Sequence, residues 1–184
     1  MDRMSHSSEL SLNEQVKQTG FSCLSCGNCC RETEPGSNLV MVSPEEVRRI
    51  MVQSGLTFEE IAEPYPEIIH ELGHEYTFGW VIRREGDHCM FHSDGRCMVY
   101  ARRPWICRTY PFMLVECGLE IYPCPGIGSC NSCATSLEIT FDLVRRRDYE
   151  KKDENRILEI MQSEIVPKGR PVVIDGEGIK EYYG

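Results

Sequence analysis

Apolar positions in the first half of the chain come in short bursts between polar and cysteine-rich stretches. Leu39 to Val42 reads as a short strand. Ser43-Pro44-Glu45-Glu46 then marks a helix start, with Ser43 at the N-cap, Pro44 at the first helical position and Glu46 closing a capping box. Val47, Ile50 and Met51 give that helix its apolar stripe. Thr57 and Glu60 repeat the capping box for a second short helix, which Pro64 and Pro66 end. Tyr76 to Arg84 (YTFGWVIRR) is aromatic and β-branched, which predicts one strand, turned by Glu85-Gly86-Asp87. Phe112 to Glu116 and Leu119 to Tyr122 predict a hairpin turned at Cys117-Gly118.

From about Ser136 the period becomes helical, with Leu137, Phe141 and Val144 on one stripe. Arg145 to Arg156 is charged almost all round, so the helix there is expected to span solvent or to break. Ile157, Leu158 and Met161 resume the stripe, and the trio Arg145-Arg146-Arg147 is expected on a solvated face. Pro171 to Ile174, followed by Asp175-Gly176, predicts an edge strand or a loose tail. The first twenty residues are polar and are expected to be frayed and flexible or only partly helical. The whole reads as one small α+β domain with short strands, capped helices and a long C-terminal helix. Its expected parts are a flexible segment 1–20, a cysteine-cluster domain 21–133, and a helix and tail 134–184 packed on the same domain.

Composition changes this picture at one point only. The 184 residues are 41% apolar and 27% charged, which is ordinary for a globular chain. The net charge of −9 argues against nucleic acid or an anionic membrane surface as partner. Eight Glu against two Arg between 40 and 75 put −6 of that on the helical insert, where a solvated face is the expectation. No apolar run is long enough for a membrane span, and MDRMSHSSELSLNEQ lacks a signal-peptide core, so a cytoplasmic location is expected. Against this background stand eleven cysteines. A reducing cytosol does not sustain structural disulfides, and an odd number cannot pair completely, so the short-spaced groups point to metal or cluster ligation.

Three groups carry that chemistry. In the first, Cys23-x2-Cys26-x2-Cys29, followed by Cys30, matches the opening thiolates of the bacterial ferredoxin run. Gly27 lets the loop curl so that several sulfurs face one point. Adjacent side chains tend to point apart, so Cys29 and Cys30 are expected to serve two centres, or one centre and a packing contact. The second group is Cys89, Cys97 and Cys107, with Pro104 and Pro111 fixing the chain around Cys107. Arg102, Arg103 and Arg108 crowd it, either to offset thiolate charge, to hold a substrate carboxylate, or to pair with the acidic helices. The third is Cys124, Cys130 and Cys133, with Cys117 as a fourth partner or a bystander. His88 and His92 flank Cys89 as ligands, as donors to ligands, or as surface residues.

Cys23-x2-Cys26-Gly-Asn-Cys29-Cys30, then Cys89 and Cys97, then Tyr100-x2-Arg103-Pro104-x2-Cys107-Arg108-x2-Pro111 closely resemble the YkgJ-type cysteine-cluster family, also called the CxxCxxCC or zinc- or iron-chelating domain. The resemblance covers roughly residues 21 to 126 and implies Cys23, Cys26, Cys29, Cys30, Cys89, Cys97 and Cys107 as the chelating set. One branch of that family, the flagellin lysine methylases, carries a similar domain with an iron–sulfur cluster inside a larger protein. This chain is shorter and has no glycine-rich strand–helix signature for a nucleotide or S-adenosylmethionine fold, so the sequence leans away from an enzyme.

The functional expectation is a cytosolic metal-binding protein carrying one [4Fe–4S] cluster, or two, in electron transfer, metal handling or maturation, with a protein or redox partner. The alternatives are a structural zinc (Zn2+) interaction module and a cluster-dependent, methylase-like enzyme. The candidate ligands are Cys23, Cys26, Cys29, Cys30, Cys89, Cys97, Cys107, Cys124, Cys130 and Cys133, with Arg103 and Arg108 supporting them. The loop pattern assigns Cys23, Cys26, Cys29 and a remote Cys107 to the principal centre. Cys30, Cys89 and Cys97 then fall to a second centre, completed by Cys124.

Overall fold

The computed structural model describes residues 6–34, 36–130 and 135–181. In chain order it has α1 (His6–Gln18), β1 (Met41–Val42), α2 (Pro44–Ser54), α3 (Phe58–Ile61), β2 (Ala62–Pro64), β3 (Ile69–Glu71), β4 (His74–Phe78) and β5 (Trp80–Ile82). Three hairpins follow: β6 (Arg84–Glu85) with β7 (His88–Cys89), β8 (His92–Ser93) with β9 (Arg96–Cys97), and β10 (Phe112–Val115) with β11 (Gly118–Ile121). Between the last two lies α4 (Trp105–Thr109), and the chain closes with α5 (Ser136–Ser163), β12 (Pro171–Asp175) and β13 (Gly178–Glu181). The fold is mixed α+β with short strands and a C-terminal helix, as expected.

Both capping boxes form. Ser43 Oγ accepts from the Glu46 amide at 3.3 Å, and Glu46 Oε2 accepts from the Ser43 amide at 3.0 Å. Thr57 and Glu60 repeat the pair, but α3 is a single turn and runs straight into β2 rather than into a proline stop. The stretch from Tyr76 to Arg84 is two strands, not one. Gly79, at φ +72°, breaks it, and the halves enter different sheets. β5 is the middle of an antiparallel sheet β1-β5-β2, whereas β4 joins the four-stranded sheet β13-β12-β4-β3.

Within that second sheet β12 is central. It runs parallel to β4 in the register Val172↔Tyr76 and antiparallel to β13. Val172, Val173 and Ile174 are essentially inaccessible, so the tail expected at an edge or loose is core. An apolar run of three fits a strand covered on both faces. Within the N-terminal segment α1 is helical, with Leu12 and Val16 buried. α5 runs unbroken for 28 residues through its charged stretch. Arg146, expected on solvent, is 6% exposed there. Its Nη1 donates to Thr109 Oγ1 at 3.0 Å and its Nε to Glu150 at 2.7 Å, which satisfies a guanidinium that burial would otherwise penalise.

Two apolar clusters flank the cysteine groups. The larger gathers Val40, Val42, Val47, Ile50, Ile61, Trp80, Phe91 and Val99, with Cys89, Cys97 and Cys107 packed against it. The smaller gathers Val16, Phe21, Phe112 and Leu143, with Cys124 against it.

Candidate metal centre

Cys107 sits in the middle of α4, and that short helix is held at three points. Glu46 Oε1 accepts from the Trp105 amide at 2.8 Å, so the buried carboxylate that caps α2 also anchors the start of α4. Arg146 holds Thr109, whose hydroxyl donates back to the Trp105 carbonyl at 3.0 Å. Arg108 pairs with Asp142 of α5 through two nitrogens, at 3.0 and 3.2 Å. Five residues alone would not hold a helix. Glu46 and Arg146 were not singled out as site residues from the sequence. The capping box marked Glu46 only for its own helix, and the basic trio gave no sign that its middle member turns inward.

Cys89 and Cys97 stand on two-residue strands of the β6–β7 and β8–β9 hairpins. The Cys23–Cys30 loop ends in a single 3-10 turn at Asn28–Cys30, entered through Gly27 at φ +74°. In that turn successive side chains do not alternate, and Cys29 and Cys30 Sγ lie 4.0 Å apart instead of pointing apart. Cys23 and Cys26 are exposed, whereas Cys29 and Cys30 are half-buried.

These elements enclose one solvent-open cavity of about 900 Å3. Cys23, Cys26, Cys29, Cys30, Cys89, Cys97, Cys107 and Cys124 all line it, together with His92, Arg103 and Arg108. Cys130 is half-buried and does not line it, and Cys117 is exposed at the β10–β11 turn. Cys133 lies outside the described residues. Cys124 Sγ accepts from the Gly126 amide at 3.4 Å.

The thiols' electrostatics reflect this placement. Burial pushes the Cys107 thiol well up, and the neighbouring thiols of Cys89, Cys29 and Cys97 push it further. Burial likewise raises Cys89 and Cys97, while Arg103 pulls Cys97 back down. Cys29 is raised first by its contact with Cys30 and then by burial, with Arg103 again opposing. Burial raises Cys124, and the thiols of Cys26, Cys29 and Cys23 add to it. At Cys29, Cys89, Cys97, Cys107 and Cys124 these effects favour the protonated thiol, and a bound metal would hold its ligands as thiolates.

The two arginines divide their work. Arg103 lies over the Tyr100 ring at 3.8 Å and its buried Nε has no hydrogen-bond partner, so its charge faces the thiols. Arg108 also lines the cavity, but Asp142 takes its charge, with 2.9 Å between Nη2 and Oδ2. His92 Nε2 is a second buried atom without a partner. Eight thiols, an orphaned imidazole nitrogen and an orphaned guanidinium nitrogen around one void fit a thiolate-bound metal. Among the described residues no three Cys, His, Asp or Glu already converge on a single ion point.

A mixed α+β chain whose cysteines wall a common cavity fits the class of metal-binding proteins. Residues 22–138 match the family model CxxCxxCC, described as "Putative zinc- or iron-chelating domain". That is well over half of the chain, and the protein belongs to this family. No curated protein and no solved structure matches it significantly. No helix among the described residues is long and apolar enough to cross a membrane.

Proposed function

We propose that the protein carries iron–sulfur chemistry, with one [4Fe–4S] cluster or two held by cysteine thiolates in the central cavity. The observation that carries this reading is the shape of the donor set: eight thiols spread around about 900 Å3. A single zinc ion draws four donors to within about 2.3 Å of one point, whereas a polynuclear cluster needs thiols set apart around a volume. Cys89, Cys97 and Cys107 influence one another, Cys23 and Cys26 act on Cys124, and Cys29, in contact with Cys30, acts on both sets, which favours two adjoining groups. That regroups the assignment drawn from the ferredoxin-like spacing. It moves Cys107 to the side of Cys89 and Cys97, and sets Cys29 between that group and Cys23, Cys26 and Cys124. Such a centre suits electron transfer, metal handling or maturation in the cytosol, working with a protein or redox partner.

One observation favours zinc instead. The 4.0 Å between Cys29 and Cys30 Sγ is close to the edge of a sulfur tetrahedron around zinc, about 3.8 Å for bonds of 2.3 Å. Anaerobic purification with iron, sulfide and zinc analysis and a visible spectrum decides between them. A brown protein with iron and acid-labile sulfide in equal amounts is expected. A colourless protein holding stoichiometric zinc overturns the cluster.

A further inference from the structure

We propose that His92 is itself a ligand, its Nε2 binding the cavity's metal where the Cys23–Cys30 loop meets the β8–β9 hairpin. This rests on the metal-centre reading above and adds a nitrogen to a donor set otherwise made of sulfur.

His92 Nε2 is buried without a hydrogen-bond partner. Leaving such an atom unsatisfied forfeits its hydration with nothing in return, so a folded chain rarely keeps one without a use. It borders the thiol-lined cavity rather than an apolar wall. Its directly opposed neighbour across the ladder is Cys97, and side chains so paired share one face of the ribbon. On its other side lies the loop. A Cβ on Gly27 would stand only 2.3 Å from Nε2, so the imidazole fills the space that the missing side chain leaves. Gly27 follows Cys26 and stands two residues before Cys29, which places loop thiols beside the same nitrogen.

The neighbouring His88 shows why His92, and not His88, is the donor. The rings stack in parallel, with centroids 5.4 Å apart and 2° between their planes. His88 Nε2 accepts from Arg31 Nε at 2.9 Å, which puts its proton on Nδ1, facing the Asp87 carboxylate. Both His88 nitrogens are therefore engaged. The ring serves as a wall that fixes the orientation of His92, as a ligand imidazole requires. The nitrogen lies between Cys97 across the ladder and the Cys26–Cys29 loop, so the imidazole adds to thiols supplied by both elements. Three thiolates with one histidine is an established zinc set, and imidazole also replaces thiolate on iron in some clusters.

The test uses the full chain with 15N-labelled histidine rings, reconstituted anaerobically with Fe2+ and sulfide, or loaded in parallel with Co2+. Pulsed EPR of the reduced cluster or of the Co2+ form should show directly bound imidazole nitrogen. His92→Leu should abolish that coupling and speed metal loss to a chelator on the order of tenfold or more. His88→Leu should keep the coupling, and His92→Cys should recover metal retention with an all-sulfur spectrum. Protected amides at Val172 to Ile174 verify that each variant is folded. Full metal loading without imidazole coupling, or coupling that survives His92→Leu, overturns the histidine ligand and leaves the metal-centre reading standing. A chain that takes up neither iron nor cobalt overturns both.

Discussion

In the sheet formed by β3, β4, β12 and β13, three consecutive residues of β12 are sealed from solvent, and Ile157 and Ile160 of α5 pack against the cluster of Tyr76, Val172 and Ile174. Around the cavity, by contrast, β6 to β9 are two residues each and the Cys23–Cys30 loop has one 3-10 turn. Two-residue hairpins are too short to hold themselves. The sheet end is stabilised by apolar burial and a continuous ladder; the cysteine end has many donors and little regular structure. A metal would supply there the cross-links that burial supplies at the other end.

The largest effect should come from removing metal. Structural metal sites contribute on the order of 10 kcal/mol to the fold they hold. Anaerobic chelation should therefore strip hydrogen-exchange protection from residues 22–30 and 84–97 while the amides of β4 and β12 keep theirs. Uniform loss, or no change at either end, would refute the division. The next effect reverses the location. Ile174→Ala deletes a fully buried side chain and should cost about 2–5 kcal/mol in denaturant unfolding. Bound metal per chain should stay at the wild-type value.

Smaller again is the effect at the joint between the two ends. Arg146→Met removes the donor to Thr109 at the end of α4 and leaves that hydroxyl one partner short. A cost of about 1–3 kcal/mol is expected, with faster metal loss, because α4 carries Cys107. Gly27→Ala provides the complementary probe on the loop side. Its Cβ cannot coexist with the His92 ring, and the left-handed backbone at φ +74° disfavours alanine as well. Metal content should fall while β12 stays protected; a wild-type metal content would show that the ring is free to move.

What could be read from the sequence was local chemistry. Ser43 with Glu46 and Thr57 with Glu60 announced their helices because a capping box is complete within four residues. The cysteine motifs, together with Arg103-Pro104 and Cys107-Arg108, resembled a metal-chelating family, and residues 22–138 match its model. What could not be read depends on partners far along the chain. β12 is central only because β4, about a hundred residues earlier, lies parallel to it. One glycine, Gly79, sends the aromatic run into two sheets, and nothing in the run marks the break except that residue. Arg146 turns inward to Thr109 on another helix, and His92 is singled out only by Gly27 and His88 around it. Burial and partner choice are tertiary properties, so residue type and period are silent on them.

The smallest predicted effect isolates the sheet end by charge. Asp153 of α5 faces Asp175 and Glu177 at the β12–β13 turn, with Glu46 and Arg156 also acting on it. Burial raises its carboxyl above the usual range, and Asp175, Glu177 and Glu46 raise it further, against the pull of Arg156. Asp175 keeps its own partners, Trp80 Nε1 at 2.7 Å and Lys180 Nζ at 2.8 Å, so the strain of like charges falls on Asp153. A folded-state value above the unfolded one means that the unfolded chain gives up this proton more readily. Ionised Asp153 therefore opposes folding above its folded value; the opposition shrinks as pH falls through that value and is gone below the unfolded value, near about 4. Asp153→Asn should stabilise the protein at pH 7, and by progressively less as the pH is lowered. Paired urea melts of wild type and variant from pH 7 to pH 4 measure this difference. Because Asp153 lies on the sheet side, the gain should be the same with and without bound metal; a gain confined to the metal-loaded form would show that the two ends are coupled.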